Sequence, residues 1–347
     1  MIMQTAVLGM GSWGTALARV LANNGHQVNL WGRDQALVDY FNQTQVNAKY
    51  LNNCPLPQTV TAMTDMKQAV ADSQMILIVV PTKAIRSVCD QLNQVLGQGD
   101  ATQPLIVHAT KGIEVGTHLR VSQMIKASLS VDTYRGLAVL SGPSHAEEVG
   151  QDMLTMVTIA AQNLETAQEV QAFFMNPYFR VYTNTDMLGV ELGGALKNII
   201  AITSGMIDGL GYGDNSRAAL LTRGLAEITR LGVALGADPL TFMGLSGLGD
   251  LIVTATSQHS RNYRAGRLLG QGYSIEETRA KINMAIEGLN TCQAAFELAK
   301  DLEIEMPITQ ALYKLLYEGE DVQKLVYSLM TREGKSEAKI EDHLGDE

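Results

Sequence analysis

The first residue in this chain whose setting could do chemistry is a lysine among apolar neighbours. Glu191-Leu-Gly-Gly-Ala-Leu-Lys-Asn-Ile-Ile200 reads as helix, with Lys197 one turn beyond two adjacent glycines. A glycine inside a helix costs about 1 kcal/mol relative to alanine. Close approach by another backbone or by a ligand is the usual reason to tolerate two. Lys197 is flanked by Leu196, Ile199 and Ile200. Partly desolvated there, it could shed or donate its proton near neutral pH, as acid–base catalysis on a carbonyl/alcohol pair requires. On the helix alone, a lysine snorkelling to solvent is an equal alternative.

A second group lies at Gly247-Leu-Gly-Asp250 and Ser257-Gln-His-Ser-Arg-Asn262. Ser260, Arg261 and Asn262 in succession at a helix start would cradle an oxyanion. Arg binds phosphate bidentately, the hydroxyl and amide donate, and the helix end adds its dipole. A capped helix with exposed cations, Arg264 and Arg267 following, explains the same residues. Two loops add candidates. Ala109-Thr-Lys111-Gly-Ile-Glu114 offers Lys111 as a cation or donor toward a substrate, or as a structural lysine. Ser141-Gly-Pro-Ser-His-Ala-Glu147 offers His145, although a single loop histidine is more often a cap or packing residue.

Near the N-terminus, Gly9-Met-Gly-Ser-Trp-Gly14 fits G-x-G-x-x-G. It follows a predicted strand and opens a predicted helix, the context in which the pattern binds a dinucleotide. Gly9 permits the tight turn, Gly11 lets the backbone approach the pyrophosphate, and Gly14 lets helix and sheet pack closely. An ordinary strand-to-helix turn is the competing reading. After the second strand stands Arg33, which can neutralise a 2′-phosphate, with Asp34 beside it as a rival for the ribose hydroxyls. The expectation is NADP(H) or NAD(H), with NADP(H) favoured; Arg33 as a solvated loop cation is the alternative.

The elements that must position these residues change character along the chain. Thr5–Leu8, Val28–Trp31, Met75–Val80, Leu105–His108 and Leu137–Leu140 read as buried strands, with Met156–Ile159 and Phe179–Tyr182 completing the sheet. Near-continuous apolar runs suit a parallel sheet covered on both faces. Ser12 to Asn24 reads as a helix closed by Gly25. Ligands in such sheets bind beyond the carboxyl ends of the strands, so the loops bearing Lys111 and Gly142 should face the cofactor. From residue 187 helical patterns dominate, over 187–210, 216–236, 261–270, 275–281, 288–302 and 308–317. The expected fold is α/β: a doubly wound Rossmann-type N-terminal domain over 1–186, then a mainly α-helical C-terminal domain over 187–334. A polar, acidic tail over 335–347 ends the chain.

Bulk properties agree. At 347 residues, with 46% hydrophobic and 18% charged, the chain has the balance of a two-domain globular protein. A formal net charge of −10 argues against a general nucleic-acid binder, yet leaves room for a small anion held by local cations. Three scattered cysteines form neither a disulfide framework nor a metal knuckle, so no metal is expected. No basic leader opens the chain, and no run approaches about 18 uninterrupted apolar residues, so no signal peptide or membrane span is expected. A cytoplasmic protein is the plain expectation, with a homodimer as an expectation for its helical half.

Together these segments resemble the bacterial type of NAD(P)-dependent glycerol-3-phosphate dehydrogenase. The match runs through residues 9–16, 109–114, 140–146, 191–198, 247–251 and 260–262, with weaker agreement at Glu287-Gly288 and Met306-Pro307-Ile308. The family's usual Tyr-Leu-Pro-Gly appears here as Tyr50-Leu-Asn-Asn53, which bears on loop geometry near the adenine. The resemblance implies reversible reduction of dihydroxyacetone phosphate, a small phosphorylated triose, to sn-glycerol 3-phosphate, feeding glycerophospholipid synthesis. It implies Lys197 as general acid/base at the C2 oxygen, assisted by Lys111 and Asp250. Gly142, Ser144, Ser260, Arg261 and Asn262 would line the substrate site with those three, the last two gripping the phosphate. Ser12, Trp13, Arg33, Lys111, Ala146, Arg261 and Glu287 would touch the cofactor; Tyr50 and Ala285 are weaker carry-overs. The rivals are a 3-hydroxy-acid or sugar-acid dehydrogenase of similar architecture, and a non-catalytic dinucleotide sensor. Ser260-Arg261-Asn262 with Asp250 tilts the choice toward the phosphate ester.

Overall fold

The computed structural model describes residues 2–97, 103–334 and 337. Residues 335–347, read above as a polar tail, lie outside the described residues apart from 337. Among the described residues ten strands occur in chain order: β1 Gln4–Leu8, β2 Gln27–Trp31, β3 Val46–Asn47, β4 Leu51–Pro55, β5 Val60–Met63, β6 Met75–Ile78, β7 Leu105–His108, β8 Gly136–Ser141, β9 Thr155–Ala161 and β10 Phe179–Asn184. Eight form one sheet in the order β10-β9-β8-β7-β6-β1-β2-β5, while β3 and β4 make a separate antiparallel pair.

Apolar runs form the sheet's centre because both of its faces are covered. Val7, Leu77 and Val107 pack on one side, Ala6, Leu8, Ile76, Ile78 and Ile106 on the other, all at 0% exposure. Successive residues serve opposite cores, as a period of two dictates. Each buried Leu or Ile contributes about 1.5–3 kcal/mol. Strand order reverses at β1, which pairs in parallel with β2 on one side and β6 on the other. The crevice at that reversal is where open α/β sheets bind ligands.

The sheet departs from a purely parallel one. β9 pairs antiparallel with β8, and β10 then pairs parallel with β9. The link from Ser141 to Thr155 contains only the short helix Ala146–Val149, so the chain returns directly without a full crossover. The third apolar run ends at Ile78 rather than Val80, because the chain turns off ahead of Pro81. Pattern reading also passes over the edge strand β5 and the β3–β4 hairpin, where exposed polar positions interrupt the apolar signal.

Beyond β10 the chain is helical. The long helix Met187–Gly209 is the hub of this part, and its apolar 18-residue window is 89% buried inside the protein. That is the burial of a core helix. Helix Arg261–Gly270 lies against it so closely that a Cβ on Gly266 would stand 1.8 Å from the carbonyl oxygen of Ile202. This contact brings the Ser260-Arg261-Asn262 end beside the helix that carries Lys197. Helices Pro239–Met243, Asp250–Thr256 and Val322–Met330 are additions to the sequence reading.

Candidate active site

The glycine turn is built as a dinucleotide cradle requires. Gly9 has φ +131°, and a Cβ there would lie 2.2 Å from the Val79 carbonyl oxygen at the end of β6. A Cβ on Gly14 would meet the Gly9 oxygen at 1.9 Å, whereas one on Gly11 would meet nothing within 4 Å. Two glycines are therefore demanded by the protein itself, and the third borders open space where a pyrophosphate could approach. Helix Ser12–Asn23 starts there without a side-chain cap, leaving its first N–H groups for an anion. The residues fit a bound dinucleotide.

The β3–β4 hairpin closes one side of this cradle. Buried Asn47 donates to the Met10 carbonyl (3.1 Å) and the Thr15 hydroxyl (2.8 Å), and Ser12 Oγ donates to the Tyr50 carbonyl at 2.9 Å. Tyr50 thus sits beside the turn, and half-buried Trp13 packs on the sheet core. Arg33 is exposed just past β2, with no hydrogen-bond or ion-pair partner among the described residues. Asp34 is engaged elsewhere. It caps its own helix by accepting from Leu37 N (3.3 Å) and pairs with Lys49 at 3.4 Å.

Lys197 is buried at 5% exposure and Asp250 at 1%. Lys197 Nζ donates to Asp250 Oδ1 and, at 2.6 Å, to Thr254 Oγ1. The other carboxylate oxygen of Asp250 accepts from Lys111 Nζ at 2.5 Å, and Lys111 also donates to the Gly142 carbonyl at 3.2 Å. One buried carboxylate is shared by two ammonium groups. The Lys197 pKa is lowered to about 7, chiefly by burial, with Lys111 acting in the same direction and Asp250 opposing both. Of the two readings of Lys197, snorkelling is excluded by this burial.

The paired glycines now have a cause. A Cβ on Gly193 would stand 2.7 Å from the Ser246 carbonyl oxygen, and one on Gly194 would stand 2.8 Å from Ser141 Oγ and 3.5 Å from the Lys111 stem. The helix must press against both neighbours to bring its lysine to Asp250. Leu245–Gly249 form a wide π-type turn opening helix Asp250–Thr256, a distortion frequent at functional sites.

Toward the helical side, Ser260 caps helix Arg261–Gly270 by accepting from Tyr263 N at 3.2 Å. The Asn262 side chain is used inside the protein, donating to Asn198 Oδ1 (2.8 Å) and accepting from Gly288 N (3.0 Å). Arg261 is exposed at the start of its helix. Its surroundings lower its pKa by desolvation, against the raising effects of Glu287 and Glu147. Glu287 accepts from Thr82 N (3.3 Å) and Oγ1 (2.9 Å), joining the helical part to the loop after β6. Ser144 donates to the Gly142 carbonyl at 2.9 Å, Ala146 opens a short helix, and Ala285 is exposed two residues before Glu287.

Lys111, Gly142, Ser144, Lys197 and Asp250 therefore converge directly, whereas Ser260 and Asn262 spend their side chains on the fold. Thr254 is the partner the sequence reading missed; its place four residues after Asp250, on one helical face, was the available signal. His145 lies near Lys197, which lowers its pKa after the larger effect of burial, and its Nε2 is 3.3 Å from the Val253 carbonyl.

Comparison with known proteins bears on the same residues. The model for the NAD-dependent glycerol-3-phosphate dehydrogenase N-terminus matches residues 4–167, and that for its C-terminus matches 186–327. Glycerol-3-phosphate dehydrogenase (NAD(P)+) of Enterococcus faecalis is 54% identical over 96% of this chain and 97% of its own length. The enzyme of that name from Macrococcus caseolyticus is 52% identical, over 97% of this chain and all of its own. The crystal structure of glycerol-3-phosphate dehydrogenase from Coxiella burnetii superposes with a TM-score of 0.89 at 40% identity, over 95% of this chain and 99% of that one. A ketopantoate reductase family protein from Ralstonia eutropha shares the fold alone, at 16% identity and a TM-score of 0.60 over 93% of this chain and 100% of its own. From its glycine turn to its buried lysine, the chain belongs to the NAD-dependent glycerol-3-phosphate dehydrogenase family.

Proposed function

We propose that the protein interconverts dihydroxyacetone phosphate and sn-glycerol 3-phosphate with NAD(P)H, the step that supplies glycerophospholipid synthesis. The observation that carries this reading is the cluster of buried Lys197 and Asp250 with partly buried Lys111 at the carboxyl edge of the sheet, on the same edge as the glycine turn. The cradle Gly9–Gly14, with Ser12, Trp13 and Tyr50 beside it, would hold the dinucleotide, and Ala146, Glu287 and Ala285 flank the far end. When bound, a reduced nicotinamide supplies a hydride to the ketone carbon. Lys197 donates its proton to the C2 oxygen during reduction and takes it back during oxidation. Asp250 holds that ammonium in place, and Lys111 faces the substrate from the sheet side. Arg261 and the free N–H groups opening its helix receive the phosphate, with Gly142, Ser144, Ser260 and Asn262 shaping the pocket.

The division of labour falls between Asn184, the last residue of the sheet, and Met187, the first of the lysine-bearing helix: 1–186 for the dinucleotide and 187–334 for the substrate. Three buried free cysteines support a reducing, cytoplasmic setting.

A pH dependence follows from the Lys197 pKa near 7, far below the ordinary lysine value of 10.5. Reduction needs the ammonium, so kcat/KM for dihydroxyacetone phosphate is highest below about pH 7 and declines as pH rises through it. Oxidation needs the neutral amine and rises through the same range. The limb belongs to the coupled Lys197–Asp250–Lys111 set. Steady-state profiles in both directions check this, and parallel profiles for the two would remove Lys197 as the proton donor.

Arg33 is expected to select the cofactor, because Asp34 is committed to capping and to Lys49 while Arg33 stands free. Arg33→Ala should raise the KM for NADPH by about 10-fold, the scale of a lost charge-assisted contact, and leave NADH nearly unchanged. An unaltered NADPH/NADH preference shows that Arg33 is not the discriminator. The whole reading is tested by assaying dihydroxyacetone phosphate with NADPH and NADH side by side; no oxidation of either overturns it.

A further inference from the structure

A second buried ionic cluster lies on the lysine-bearing helix, outside the groups assigned above. Glu191 is 7% exposed, yet its carboxylate gathers four groups from the sheet side. Ser122 N donates to Oε1 at 2.7 Å and Ser122 Oγ to Oε2 at 2.7 Å. Arg120 Nη1 donates to Oε2, and the ring of fully buried His108 places Nε2 3.3 Å from Oε1. Burial pushes the Glu191 pKa up, but His108, Arg120 and Ser122 outweigh it and leave the carboxyl lower than usual. The carboxylate is held charged.

The origin of these partners is what gives the cluster meaning. His108 ends β7, three residues before Lys111, whereas Arg120 and Ser122 stand where the same loop re-enters helix Val121–Ser128. The loop is pinched internally by a bridge between Ile113 and Arg120. Glu191, Gly194 and Lys197 follow one another at three-residue intervals along their helix. Gly194 is the point where that helix meets the Lys111 stem.

We propose that Glu191 is a positioning residue for the reaction: one carboxylate on the Lys197 helix ties down both ends of the loop carrying Lys111, and so sets the spacing of Lys111, Asp250 and Lys197. This rests on the acid–base reading of Lys197 given above. A reactant group displaced by about 1 Å can cost up to about 10²-fold in rate, so a loosened clamp affects kcat before cofactor binding.

The groups facing Lys197 are Asp250 and Thr254 on one helix, Lys111 on the clamped loop and His145 on the loop after β8. The Lys111 ammonium disfavours a charged Lys197, so its retreat raises the Lys197 pKa. Glu191→Gln keeps the size and removes the charge. The expected result is a kcat lowered about 10-fold, a KM for NADPH within about twofold, and the rising limb of glycerol 3-phosphate oxidation moved alkaline by about half a pH unit. Glu191→Asp should recover part of both effects. In the cofactor-free protein, NMR of lysine labelled at Cε and Nζ reads the same Lys197 shift without turnover.

Wild-type kcat with an unshifted titration overturns the proposal, whatever happens to the melting temperature. If Glu191→Gln does not fold, Ser122→Ala, which cuts one arm, is expected to give a smaller shift of the same sign; no shift there overturns the proposal equally. Full activity in Lys197→Ala defeats the acid–base reading instead, so the two failures are distinguishable.

Discussion

Lys197→Ala is expected to lower kcat by at least about 10²-fold in both directions, the scale on which positioned proton transfer contributes. The KM for NADPH should stay close to that of the wild type, because the cradle Gly9–Gly14 and Arg33 lie on other elements. The alanine also empties a site that Asp250 and Thr254 now fill with hydrogen bonds. The Asp250 carboxylate retains its ion pair with Lys111 at 2.5 Å, so the protein should still fold. Steady-state kinetics with a parallel NADPH fluorescence titration separate the two effects. A kcat within a few-fold of wild type would mean that another group protonates the C2 oxygen.

Removing the phosphate grip proposed for Arg261 should be nearly as costly, and it should be felt by only one of two substrates. Arg261→Ala is expected to lower kcat/KM for dihydroxyacetone phosphate by about 10² to 10³-fold, as loss of a desolvated charge partner costs about 3–4 kcal/mol. Dihydroxyacetone, which lacks the phosphate, should be a poor substrate for the wild type and no worse for the variant. On that proposal, binding energy from the remote phosphate orients the carbonyl, so the loss should reach kcat as well as KM. Arg261 also lies near Glu287, so the KM for NADPH belongs in the same experiment. An equal decline for both ketones would take the phosphate role away from Arg261.

Several features of this site are local and so can be read from the chain. A strand, three glycines at fixed spacing and a helix start lie within a single stretch from Gln4 to Asn23, and their backbone demands hold wherever that stretch packs. The apolar runs of β1, β6 and β7 announce burial on two faces for the same reason. Two glycines beside a lysine signalled a close approach, and Ser260-Arg261-Asn262 signalled a helix start. Both signals come from propensities that operate within a turn or two.

Pairings between distant elements were decided only when the chain closed on itself. Lys197 meets Asp250 across 53 residues and Lys111 meets it across 139, distances over which no periodicity carries information. The same holds for the reversed direction of β9, for Asp34 turning to its own helix and Lys49, and for Asn262 turning to Asn198. Which residues are present, and what each can donate or accept, is a property of the sequence. The pKa of Lys197 and the sharing of Asp250 are properties of burial and spacing, because the energy of a charge depends on the medium and neighbours that folding places around it.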